Sequence, residues 1–178
     1  MSRLTLTSLK VGPKDVPTEV ADQERVRDVI ERVSSFEDTT PGQIAQSSDR
    51  LKTYYRLMIP GNYVIPTVTK GTTIGGCTGA VVPETADVTI QTDEVVTLRN
   101  LVINSTITLG STSRVIFEGC TFNGIVQMDN GATAHYIGCS FPESSVNNAG
   151  AAGNAYIIGC TRTSGVAHVN VTTIAETT

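Results

Sequence analysis

The chain has 178 residues, 39% of them hydrophobic, with 13 Lys and Arg against 17 Asp and Glu and a formal net charge of −4. That length accommodates one domain of ordinary size and a small appendage. The charge offers no basic stripe and the absence of Trp no base-stacking platform, so nucleic acid is not an expected partner. No run approaches the ~20 apolar residues that cross a bilayer, and the N-terminus lacks the apolar core of a signal peptide, so assembly in a cytoplasm without membrane insertion is expected.

In chain order, residues 1–17 read as an extended arm in which Leu4 and Leu6 alternate with polar neighbours until Gly12-Pro13 breaks the pattern. An arm with so little to bury either binds something else or folds back onto its own chain or an identical one. From Thr18 to Phe36 the period changes to 3.6. Thr18 suits an N-cap, and Val26, Val29, Ile30, Val33 and Phe36 fall on one face of an amphipathic helix, with charge pairs such as Asp28 and Arg32 opposite. These apolar residues, with Leu4 and Leu6, are the expected attachment and assembly surface.

Thr40-Pro-Gly-Gln43 has the form of a second helix start, followed by a weaker stripe of Ile44, Ser48, Leu51, Tyr55 and Met58. Tyr54–Ile59 fits a strand equally well, since it stops at Pro60-Gly61 and gives way to Tyr63-Val-Ile65. The expected organisation is a helical attachment region over residues 1–60 and a β domain over 61–178.

From Gly71 onward one short phrase recurs. Arg114-Val-Ile-Phe-Glu-Gly-Cys120-Thr-Phe122 returns as Ala134-His-Tyr-Ile-Gly-Cys139-Ser-Phe141 and as Ala155-Tyr-Ile-Ile-Gly-Cys160-Thr. Val96–Ile103 fits the same frame with Leu101 at the cysteine position, and Thr73-Ile-Gly-Gly-Cys77 echoes it earlier. The intervals from 77 to 101, 120, 139 and 160 are 24, 19, 19 and 21 residues. The longer first interval is ascribed to an excursion at Pro83–Ala86. A second apolar pulse follows each phrase: Ile107-Thr-Leu109, Ile125–Met128, Val146 and Val166–Val169.

Alternating strands at a period near 20 residues, separated by Gly, Ser, Thr and Asn too few for crossover helices, predict a right-handed parallel β-helix. Its turns would stack about 4.8 Å apart, so equivalent side chains form columns. Cys77, Leu101, Cys120, Cys139 and Cys160 form one such column and are read as core filling; a Cys120–Cys139 bridge after oxidation stays open. Val169, Val171 and Ile174 alternate near the end, which implies a final strand across the last turn or contact with another subunit.

Little catalytic chemistry is visible. Glu118, Asp129 and Glu143 occupy different repeat positions, so the frame does not pair them at glycosidase separation. His135 and His168 lie in alternating strands without a neighbouring carboxylate in sequence, and are expected to face outward. No Cys or His spacing gathers metal ligands, and the Gly71–Gly79 stretch lacks the Gly-Lys-Ser/Thr ending of a phosphate loop. No catalytic residue, cofactor or metal is expected. Tyr136 and Tyr156 suggest a two-step outer aromatic ladder, which cross-strand packing also explains.

A short N-terminal attachment region followed by a Thr/Ser/Gly/Asn-rich solenoid over residues 70–174 resembles the structural proteins of bacteriophage virions: fibres, tailspike stems, collar and head-decoration proteins. The resemblance implies a homotrimer in the virion, docked on other virion proteins by its N-terminal region, with a host-surface glycan as a further partner. The chain is shorter than the large tailspikes and lacks their carboxylate-lined groove. The alternatives are a bactofilin-like cytoskeletal polymer, whose turns are shorter and more uniform, and a carbohydrate-binding module.

Overall fold

The computed structural model describes residues 36–39, 42–44 and 54–178. Through them the chain coils as a mainly β parallel solenoid, each short strand pairing with the equivalent strands one turn before and one turn after.

The first face carries, in spatial order, β1 (Phe36–Thr39), β3 (Tyr54–Leu57), β5 (Thr72–Gly75), β8 (Val95–Arg99), β11 (Arg114–Glu118), β14 (Thr133–Ile137) and β17 (Ala155–Arg162). The second carries β2 (Gly42–Gln43), β4 (Gly61–Val64), β6 (Ala80–Val82), β9 (Val102–Ile103), β12 (Thr121–Phe122) and β15 (Ser140–Phe141), which meets the far half of β17. β17 runs round the corner and joins the two faces. The third carries β7 (Val88–Ile90), β10 (Ile107–Leu109), β13 (Val126–Met128) and β16 (Val146–Asn148), extended by bridges from Val68 to Ile90 and from Asn147 to Val169. A final strand, β18 (Thr172–Thr177), lies across the last turn on β17, and a 3-10 turn over Ala152–Asn154 is the one helical piece among the described residues.

Several expectations are corrected at the N-terminal side. Phe36, expected to end a helix, begins β1 and pairs with Tyr54; Val26–Val33, Leu4 and Leu6 lie outside the described residues. Gly42-Gln43 is a strand beside β4 rather than a helix start, and Ile44 is buried. In β3, Tyr55 and Leu57 are buried while Arg56 and Met58 are exposed, so the period there is two. The described strands therefore begin upstream of residue 61. Ser48 and Leu51 of the expected stripe lie outside the described residues; in β3 the alternation decides which residues point inward.

Registers keep equivalent residues stacked. Tyr55, Ile74, Leu98, Phe117, Tyr136 and Ile157 form one fully buried column of the first face. Val82, Ile103, Phe122 and Phe141 form another on the second, and Val88, Ile107, Val126 and Val146 a third. Aromatic rings stack within columns, Phe117 on Tyr136 at 5.0 Å and Phe122 on Phe141 at 5.1 Å, and meet edge-on between them, Phe117 against Phe122 at 5.1 Å. The longer interval before Leu101 comes from two insertions rather than one. Three residues are added between Cys77 and Val81, and only two in the Pro83–Asp87 stretch.

The corner between the first and second faces is tight because one residue takes a left-handed conformation. Asn100 (φ 52°), Gly119 (60°), Gly138 (58°) and Gly159 (59°) occupy that position in successive turns. Only Gly takes such angles without cost, and Asn is the side chain that best tolerates them. Their amides climb the corner as a ladder, Asn100 N–H donating to Glu118 O and Gly119 N–H to Ile137 O, each at 2.9 Å.

Candidate functional site

The predicted cysteine column lines the inside of this corner. Leu101, Cys120, Cys139 and Cys160 are buried, Cys77 is half-buried against the core, and all four thiols are free. Each buried thiol donates to a carbonyl one turn back: Cys120 to Leu98 O and Cys139 to Phe117 O at 3.4 Å, Cys160 to Tyr136 O at 3.2 Å. Hydrogen bonding with Cys120, then burial, pushes the Cys139 thiol up to about 12, and bonding with Cys139, then burial, raises Cys160. The Cys139 contact lowers Cys120, so a single negative charge on the column would rest there. Protonated, desolvated thiols are poor nucleophiles. Among the described residues no group of three or more His, Cys, Asp and Glu is placed to hold a metal ion.

The acidic residues are dispersed. Glu118 points outward on the first face and pairs with Arg99 one turn below at 2.6 Å, whereas Asp129 follows β13 and Glu143 sits in the exposed corner after β15. The supposed outer tyrosine ladder is corrected by the register. Tyr136 stands opposite Ile157 inside the solenoid, and Tyr156 stands opposite His135 outside. The two tyrosines are one residue out of phase in the repeat, which in a strand means opposite faces. The outer pair is His135 edge-on to Tyr156, centroids 5.1 Å apart.

His168 is the second correction. Its side chain is only 3% exposed and belongs to a polar plug at the end of the core. The second-face column passes from Phe141 to Arg162, the third-face column from Val146 to His168, and the cysteine column from Cys160 to Glu176. These three successors find one another. Glu176 Oε2 accepts from Arg162 Nε and its Oε1 meets His168 Nε2, both at 2.9 Å. His168 Nδ1 accepts the Val146 amide at 3.0 Å, which places the ring proton on Nε2. Arg162 also donates to Val166 O, and the His168 ring stands edge-on to Phe141 at 4.7 Å. The carboxylate that orients His168 is eight residues away in sequence, beyond a local motif. Both ring nitrogens are used within the plug, so it closes the core rather than presenting a base.

The outer surface of the first face is made of outward columns of residues. One column runs Thr73, Thr97, Ile116, His135, Tyr156; the next runs Gly75, Arg99, Glu118, Ile137, Ile158. Outward positions of the lower turns include Thr73, Arg99 and the exposed Val95. From β11 upward, beside outward Arg114 and Thr133, lie Ile116, Ile137 and Ile158 near the His135–Tyr156 pair, with Ile137 39% exposed and Ile116 and Ile158 partly buried. Nothing in the alternation of a solenoid strand requires outward isoleucines. The sequence frame contained this strip, since Ile116 and Ile137 both fall on outward positions of the repeat. Comparison of the chain with protein-family models, with curated proteins and with solved structures found no match.

Proposed function

We propose that the chain is a structural component of a particle of the bacteriophage-virion type, a fibre, spike, collar or head-decoration protein, in which the solenoid is a rigid spacer or surface module. The observation that carries this reading is the apolar outer strip Ile116, Ile137, Tyr156 and Ile158 on a rod whose catalytic-type groups are dispersed or committed to its core. Such a strip suits association of identical rods side by side. A three-fold arrangement closes such association into a defined trimer. Residues 1–60 would supply the attachment to neighbouring virion proteins, and the free polar surface is available to a host-surface glycan.

The strip is tested by Ile137→Glu and Ile158→Glu, which place carboxylates on outward positions without entering the core. The expected outcome is a folded β-rich monomer in place of a trimer. An unchanged oligomer in both variants excludes the strip as the contact. Attachment is tested separately by incorporation of a chain lacking the first 35 residues, which should be lost.

A further inference from the structure

The last part-turn is held differently from the turns beneath it. β18 pairs with β17 through two register shifts, between Ile157 and Ile158 and between Ile158 and Cys160, whereas the first-face pairs below run in continuous register. Thr173, Ile174, Ala175 and Thr177 are exposed, Ile174 to 63%. At the inward position, where lower turns supply Cys or Leu, β18 supplies Glu176, fixed by Arg162 and His168. The connection before it, Thr163-Ser-Gly165, is exposed and turns through a left-handed Gly165 (φ 93°). A segment with few buried apolar contacts opens at lower free energy than the core it covers. Beneath lies β17, eight residues long with Ile157 and Cys160 buried, whose backbone edge is bared when the segment lifts.

We infer that residues 166–177 form an exchangeable strap, and that the edge of β17 is a strand-docking site whose partner is the same strap from a second copy of the chain. An identical strap reproduces each contact that holds the original: the parallel ladder, the Arg162–Glu176 pair, and the bond from the Val146 amide to His168. Only the connection differs between the closed and exchanged forms, which is the condition under which identical elements swap between protomers. The short turn at Thr163–Gly165 is the hinge, and short hinges favour exchange. The inference rests on the terminal turn alone and is independent of the outer strip and of the virion reading.

The test mixes two full-length single variants, Thr161→Cys and Thr177→Cys. These positions are exposed and opposite one another in the β17–β18 ladder, so exchange brings the introduced thiols together, and the yield is read above the collisional background set by pairing Thr177→Cys with the exposed, off-ladder Ser111→Cys. After mild oxidation, peptide mass spectrometry is expected to find the mixed disulfide. Its yield should rise with protein concentration, and Glu176→Gln in the strap-bearing chain, which weakens closed and exchanged contacts alike, should speed its formation without changing its final yield. Absence of the mixed disulfide at high concentration, while the double variant Thr161→Cys/Thr177→Cys closes its own bond, overturns the exchange. Hydrogen exchange supplies a second reading: the amides of 172–177 should exchange faster than those of 133–137, and equal protection overturns the release.

Discussion

Asn100, Gly119, Gly138 and Gly159 set the corner angle turn after turn, and the cost of changing them follows from what surrounds each one. A Cβ at Gly138 meets nothing within 4 Å, so Gly138→Ala costs only the left-handed strain, about 1 kcal/mol, and Gly138→Asn less. At Gly124, by contrast, a Cβ would lie 1.9 Å from Ser105 O, and Gly124→Ala should cost several times more because a backbone must move. Thermal melts of the three variants check the order; equal losses would contradict the corner account. For the thiols, Cys120→Ser and Cys139→Ser keep a donor for the Leu98 and Phe117 carbonyls, so each should cost only about 1 kcal/mol, from replacing a large apolar sulfur with a smaller polar oxygen. The sign with pH is fixed as well. Cys139 titrates near 9.0 when unfolded and about 12 in the native chain, so the unfolded state loses its proton first and stability falls as pH rises between them. Stability of Cys139→Ala should have a shallower slope over that window.

At the scale of the element, the polar plug replaces three apolar columns at the last described turn. Three inward columns change from apolar residues to Arg162, His168 and Glu176, whose hydrogen bonds replace the missing burial. Glu176→Ala leaves Arg162 and His168 without their acceptor and should destabilise the terminal turn by roughly 1–3 kcal/mol. Hydrogen exchange at 172–177 should report that loss before far-UV dichroism changes, and a uniform loss across all turns would contradict a local role. Below the plug, the Gly-Cys phrase made the turn length and the cysteine column legible, whereas the corner at its glycine was not legible, because the phrase has the form of one uninterrupted strand. The frame also held the answer for the tyrosines, since Tyr136 and Tyr156 differ by one in phase. The plug was not legible, because its partners sit in different strands and meet only through the register of β17 with its neighbours. Phe36 and Tyr55 misled for a related reason, as spaced apolar residues satisfy a helical period and a strand alternation alike over short stretches.

For the whole molecule, continuous side-chain columns and parallel ladders make a stiff body whose outer surface is free to vary without disturbing the core. The outward residues of the first face vary in this way, from Arg99 and Glu118 to Ile137 and Ile158 in a single column. Removing residues 1–35 should leave the β-rich body folded, with unchanged far-UV dichroism for the remainder, since β1 begins at Phe36 and pairs within the solenoid. Collapse of the truncated chain would mean that the body depends on those residues. The central claim, that this rod is built to associate with its own copies through its outer strip, is tested most directly by sedimentation equilibrium of the full-length protein in reducing buffer, beside Ile137→Glu. The account predicts a defined trimer that the substitution converts to a folded monomer; a stable monomer for the unsubstituted chain would contradict it.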